Sequence, residues 1–239
     1  GNRIPQINVE VFRPLADGDV AEGMVEAVTM IPASGEFTYG TTVVKTGSDD
    51  DEPLDPQDFL SNSDQLVGIG TDQGAARYLN ASVRADRSDL QESLDRLKAQ
   101  VPAVKHVSLV VAWFGDDLRA GSCKVRPGVE VAAKTTAPSS WSVNGVARAD
   151  AFLVSRDAEY RPIYGGTPAD FAVVQAIQEM KARGLRVTFY PFILMDVPPG
   201  NTKPNPYSAN AATSGQPTFP WRGRITCSPA AGFAGTVDK

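Results

Sequence analysis

The stretch TPADFAVVQAIQEMKARGLRVTFYPFILM, Thr167 to Met195, constrains the fold more than any other part of the chain. Thr167 reads as a helix N-cap with Pro168 at the first helical position and Asp170 in the first turn. Phe171, Val173, Val174 and Ile177 then form one broad apolar face. Lys181 and Arg183 fall in the last turn, where cations favour the negative end of the helix dipole, and Gly184 is a natural stop. The apolar run Leu185 to Leu194 follows at once and predicts a buried strand. Helix, tight glycine turn and strand make the αβ half of a βαβ unit, which calls for a parallel sheet.

A second unit has the same form. Ser88 and Gln91 fit a capping box, and Leu90, Leu94 and Leu97 make one helical stripe. Pro102 lies past the end of this helix. HVSLVVAWF, His106 to Phe114, is almost continuously apolar, the pattern of a strand covered on both faces.

The N-terminal region reads differently. Residues 7–12 (INVEVF) alternate as a half-buried strand does. Met24, Val25, Val28 and Ile31 fit a helical face, and 35–46 (GEFTYGTTVVKT) reads as a strand broken by glycine. Residues 47–58 (GSDDDEPLDPQD) are acidic, hold two prolines and offer nothing to bury. They predict a linker, with a long surface loop as the other reading. The expected organisation is a β-rich segment over 1–46, a linker over 47–58 and an α/β domain over 59–239.

Composition removes several function classes. With 239 residues and 42% hydrophobic content the chain can bury a sizeable core. A net charge of −5 argues against nucleic acid as a partner, because phosphate binding needs a basic face. No apolar run approaches the roughly 20 residues that span a bilayer. GNRIPQINVE lacks a basic-then-apolar leader and reads as an internal start. Cys123 and Cys227 form no CxxC pair and are read as reduced thiols, with a disulfide between them left open. The only histidine, His106, opens a strand. No metal and no cofactor are expected. GIGTDQGAA, residues 68–76, has neither dinucleotide-loop spacing nor a P-loop lysine. The NAS sequon at Asn80 is uninformative.

Four blocks carry a resemblance: Val107 to Glu130, Tyr164 to Asp170, Lys181 to Asn201 and Trp221 to Ala230. They resemble the TIM-barrel-like domain of the large tail-hub proteins of gene transfer agents and related siphophages, the glycoside hydrolase/phage tail family. GNRIPQINVEVFRP resembles the segment that leads into that domain. The resemblance implies a (β/α)8 TIM-barrel-like domain. It further implies a structural component of a tail tip or baseplate hub, used in assembly or cell-surface contact. Its location would be the particle tail, after synthesis in the bacterial cytoplasm. Its partners would be other tail and baseplate proteins, cell-wall glycan, and further copies in a tail ring. A full barrel takes about 250 residues and only about 180 follow the linker, so the barrel is expected to be incomplete, the chain ending inside a longer domain.

A glycosidase needs two carboxyl groups flanking the bond, and a barrel supplies them from the C-terminal ends of strands. Asp116 and Asp117 follow one strand, and Asp196 follows the other in DVPPGN. Glu130 is a further candidate acid, after RPG. Each also has a turn reading, because Asp satisfies backbone amides and Pro-Gly pairs shape loops. Trp113, Trp141, Tyr190 and Trp221 are candidate sugar platforms. Arg119, Arg126, Arg222 and Arg224 read as surface ion-pair partners. Two functions compete: a structural hub component and a hydrolase of peptidoglycan or a surface glycan. The first is preferred, because fold analogy does not establish chemistry.

Overall fold

The computed structural model describes residues 21–32, 35–47, 78–82, 87–210, 213–220 and 224–236. The strand expected at 7–12, most of the 47–58 linker, the 68–76 loop, Trp221 and Arg222 lie outside them.

The chain forms α1 (Ala21–Met24), β1 (Ala27–Met30), β2 (Lys45–Thr46) and α2 (Asp89–Gln100), then β3 (His106–Gly115) and β4 (Val125–Arg126). Short strands follow: β5 (Gly128–Val129), β6 (Thr136–Ala137), β7 (Ser142–Val143), β8 (Val146–Ala147) and β9 (Phe152–Leu153). The last elements are α3 (Asp170–Ala182) and β10 (Arg186–Met195). The central sheet runs β1-β3-β10, with both pairings parallel, and β4 adds antiparallel to the end of β3. Because the order advances in one direction, right-handed crossovers put α2 and α3 on the same face.

The (β/α)8 barrel is corrected. The described residues hold two helices longer than one turn and a central sheet of three parallel strands, against eight of each in a barrel. The sheet is small and open, and a large share of the chain goes into loops and two-residue strands after β3. β1 hydrogen-bonds to β3 over Ala27 to Met30, so these residues belong to the same sheet as 106–115.

The strongest local signals give the predicted elements. Ser88 caps α2, accepting from the Gln91 N–H while the Gln91 side chain accepts from the Ser88 N–H. Leu90 and Leu94 are buried. Gly184 takes φ +75°, the left-handed conformation that ends α3. Three local readings change. Residues 24–31 are not one helix, because Ala27–Met30 extend to pair with β3. Residues 36–39 form a turn, not a strand. Buried Asn80 holds the turn in place: its Nδ2 donates to the Phe37, Gly40 and Thr42 carbonyls and its Oδ1 accepts from the Val44 N–H. At α3 the N-cap is Ala169 with no side-chain cap, because the Thr167 hydroxyl accepts from the Gly128 N–H instead.

β10 is not buried on both faces as its composition suggested. Phe189 is 51% exposed and Tyr190 37%. The ladder explains why a proline fits there. The Arg186 N–H donates to Lys105 O and the Asp196 N–H to Gly115 O, the same offset at both ends. Even-numbered amides therefore face β3 and odd-numbered ones face the outer edge. Pro191, which has no amide hydrogen, sits at an outward position, where proline is tolerated.

The main core gathers Phe37, Tyr39, Val44, Leu94, Leu109 and Trp141 under the helices. A smaller cluster of Leu118, Met195 and Val197 lies at the C-terminal end of the sheet, where the candidate carboxylates stand.

Candidate functional site

Parallel strands in register bring their exits together. The Asp196 N–H donates to Gly115 O at 2.8 Å, so Asp116, Asp117 and Asp196 leave adjacent strand ends. Their environments differ.

Asp117 is 4% exposed and fully engaged. Its Oδ1 accepts from the Arg119 N–H at 2.8 Å, Arg119 Nε at 3.0 Å and Gln216 Nε2 at 2.7 Å, and its Oδ2 accepts from Arg119 Nη2 at 2.7 Å. Burial pushes the carboxyl up, but the hydrogen bonds from Arg119 and Gln216 outweigh it and hold it at about 2. Gln216 Oε1 also accepts from the Leu118 N–H, so the pair ties the β3 exit to the 201–216 loop. Asp116 is held by the Lys124 N–H at 2.9 Å and by Arg126 at 3.5 Å, and its carbonyl accepts from Lys203.

Asp196 is 2% exposed. Its Oδ2 accepts from the Ser155 N–H at 2.9 Å, whereas its Oδ1 is buried without a hydrogen-bond partner among the described residues. Tyr164 stands beside it. Tyr164 donates to Met195 O at 3.3 Å, and burial and the Asp196 charge push its hydroxyl up. The Tyr164 ring meets Phe219 edge-on and packs on Phe114, which packs on Phe152. Arg126 stacks on Phe152 at 4.2 Å, and its Nε is likewise buried without a partner among the described residues.

Glu130 joins a different group. Glu36, which sequence reading passed over, is 2% exposed and accepts from Arg148 Nη2 at 2.6 Å and Nη1 at 3.1 Å, the Glu130 N–H at 3.1 Å and Lys134 Nζ at 3.3 Å. Burial pushes Glu36 up, but Arg148 and Lys134 more than offset it and hold the carboxyl down. Burial pushes Glu130 up, and the Glu36 charge adds to this against the pull of Lys134. Lys134 Nζ reaches Glu36 Oε2 at 3.3 Å and Glu130 Oε2 at 3.8 Å, so one ammonium bridges the two carboxylates. Four donors and near-complete burial make Glu36 a structural anion. It joins the 36–39 turn, the exit of β5 and the Arg148 turn, and the Ala169 N–H donates to its carbonyl.

The aromatic candidates do not gather at these acids. Trp141 is 2% exposed and donates to Thr167 O at 2.8 Å inside the main core. Trp113 packs partly buried against that core, and Tyr190 meets Phe192 edge-on along β10. The ring beside Asp196 is Tyr164, to which Phe114 and Phe219 connect by ring contacts and Phe152 through Phe114. Phe114 lies in the apolar run of β3 and Tyr164 in the YGGTPAD block, whereas Phe152 and Phe219 are single aromatics with no periodic signal. A shallow pocket of about 200 Å³ lies at the opposite end of the sheet, lined by Thr29, His106, Ser108 and Thr188, with His106 Nε2 2.7 Å from Thr188 Oγ1. It is remote from the carboxylates.

Among the described residues no group of three or more His, Cys, Asp or Glu side chains is placed to hold a metal ion, and no helix is long and apolar enough to cross a membrane. No protein-family model matches the chain, and no curated protein matches it.

Proposed function

We propose that this chain is a structural component of a phage-like tail tip or baseplate hub, acting in assembly or cell-surface contact. The sequence blocks around β3, the start of α3 and β10 support the tail assignment. The observation that carries the structural role is the state of Asp117: it is a saturated ion-pair brace, held ionised down to about pH 2, and cannot act as a general acid. Asp116 accepts from the Lys124 N–H and lies 3.5 Å from Arg126. The partners are other tail and baseplate proteins, further copies of the chain in a ring, and cell-wall glycan, with the particle tail as the location.

A glycoside hydrolase acting on peptidoglycan or a surface glycan is the second reading. Asp196 favours it, because its Oδ1 has no hydrogen-bond partner among the described residues and the Tyr164 ring lies beside it, a setting that suits a sugar hydroxyl.

Two experiments separate these readings. A tagged chain is expressed in cells that make tailed particles, and the purified particles are gold-labelled for electron microscopy. Label at the tail end supports the hub role, and a chain left in the particle-free fraction overturns it. Purified protein is then incubated with peptidoglycan. Release of reducing ends that Asp196→Asn abolishes establishes hydrolysis in place of a purely structural role.

A further inference from the structure

We propose that Cys123 and Cys227 are a redox pair, a modification site at which a small disulfide compound converts two free thiols into a clamp across the C-terminal end of the sheet. The proposal is independent of the hub reading. Both cysteines are free, with Cys227 exposed and Cys123 half-buried.

The fold brings the segments that carry them together from distant parts of the chain. Arg119 and Thr226 form a parallel bridge in which the Ala120 N–H donates to Thr226 O and the Thr226 N–H donates to Leu118 O, both at 2.8 Å. The turn after Arg119 folds back, and the Ser122 and Cys123 N–H groups both donate to Arg119 O at 2.9 Å. The two cysteines therefore flank the same residue. Cys123 and Ile225 pack on one cluster with Leu118, Met195 and Val197, and the Cys123 sulfur lies beside Gly115. Cys227 directly follows the bridge residue Thr226 and is exposed. The intervening turn is exposed at Ala120, Gly121 and Ser122.

The chemistry is thiol–disulfide exchange with an oxidant such as oxidised glutathione. The exposed Cys227 thiolate attacks one sulfur of that disulfide, forming a mixed disulfide and releasing one glutathione thiolate. The Cys123 thiolate then attacks the Cys227 sulfur and releases the second. The two protein thiols lose two electrons and two protons, and the glutathione disulfide is reduced to two thiols. The product closes a loop of roughly 100 residues, for which restriction of the unfolded chain predicts a large stabilisation.

The test uses the full chain, fully reduced and then equilibrated with oxidised glutathione. The expected product is a monomer lighter by about 2 Da, with one peptide pair joined through Cys123 and Cys227. Its Tm should exceed that of the reduced chain by about 10 °C, and dithiothreitol should reverse the rise. Cys227→Ser, at an exposed position, should abolish the shift and leave the reduced Tm unchanged. Two stable glutathione adducts, a disulfide-linked dimer, a cross-link without a rise in Tm, or a rise that persists in Cys227→Ser would each overturn the proposal.

Discussion

Glu36 and Arg148 meet in a buried two-bond ion pair at 2.6 and 3.1 Å, with side chains 1% and 8% exposed. Arg148 also donates to Val131 O and lies against the Trp141 ring. This contact joins the turn before β2 to the loops that follow β5. Removing Arg148 leaves the buried Glu36 with Lys134 and the Glu130 N–H in place of four donors, a loss bounded by the cost of breaking a buried pair, about 3–5 kcal/mol. Arg148→Met should lower unfolding stability by up to that amount in urea titration, whereas the double replacement Glu36→Leu with Arg148→Met should recover part of the loss. A double variant no more stable than the single one would show that the pair has a role beyond mutual neutralisation.

Asp117 gives the protein an acid-sensitive brace. Its folded value, about 2, lies below the ordinary value of 3.8, so the folded state binds the proton less tightly than the unfolded chain does. The resulting stability is fully present above about pH 4 and is lost as pH falls towards 2. Asp117→Asn should flatten the dependence of Tm on pH in that window and lower Tm at neutral pH, as read by scanning calorimetry.

Glu130 has the opposite sign. Its carboxyl is pushed above the ordinary 4.5, so the fold favours the protonated form and this group's contribution declines as pH rises through the folded value. Glu130→Gln should therefore be at least as stable as the parent chain at neutral pH and should lose its advantage below pH 4.5. Paired urea titrations at acidic and neutral pH decide it, and a variant uniformly weaker at both would sink the assignment.

Gly128 approaches the Phe114 ring closely. A Cβ there would lie 2.6 Å from Phe114 Cδ2 and 3.1 Å from Phe152 O. Gly128→Ala must displace the ring that underlies Tyr164 and Phe152, at a cost of about 1–3 kcal/mol. The near-ultraviolet circular dichroism of the aromatic cluster should change together with Tm.

Pro191 blunts the outer edge of β10. Replacing it with valine restores an outward N–H without touching the β3 ladder. Pro191→Val should raise self-association with little effect on monomer stability, seen as a larger sedimentation coefficient at increasing concentration. A variant that stays as monomeric as its parent would show that other features guard the edge.

The legible parts of the fold were local. Ser88 with Gln91, the leucine stripe of α2, the Gly184 stop and the two long apolar runs specify their elements through neighbours a few residues away. Sequence also placed Asp116, Asp117 and Asp196 at strand ends, because parallel strands after helices share one direction. It misjudged how many such units close on one another, since three strands and two helices carry the same local pattern that eight would.

What the sequence determined by itself was therefore the element types, the parallel pairing and the end of the sheet where the acids stand. Only the tertiary structure decided what those acids do. Arg119 lies two residues from Asp117, but Gln216 comes from the distant loop after β10, and Ser155 and Tyr164 reach Asp196 and its neighbour Met195 from the loop between β9 and α3. The partners of Glu36 likewise come from separate turns. A carboxylate's protonation and freedom depend on the donors and burial around it, and those are set by long-range contacts that leave no period in the chain.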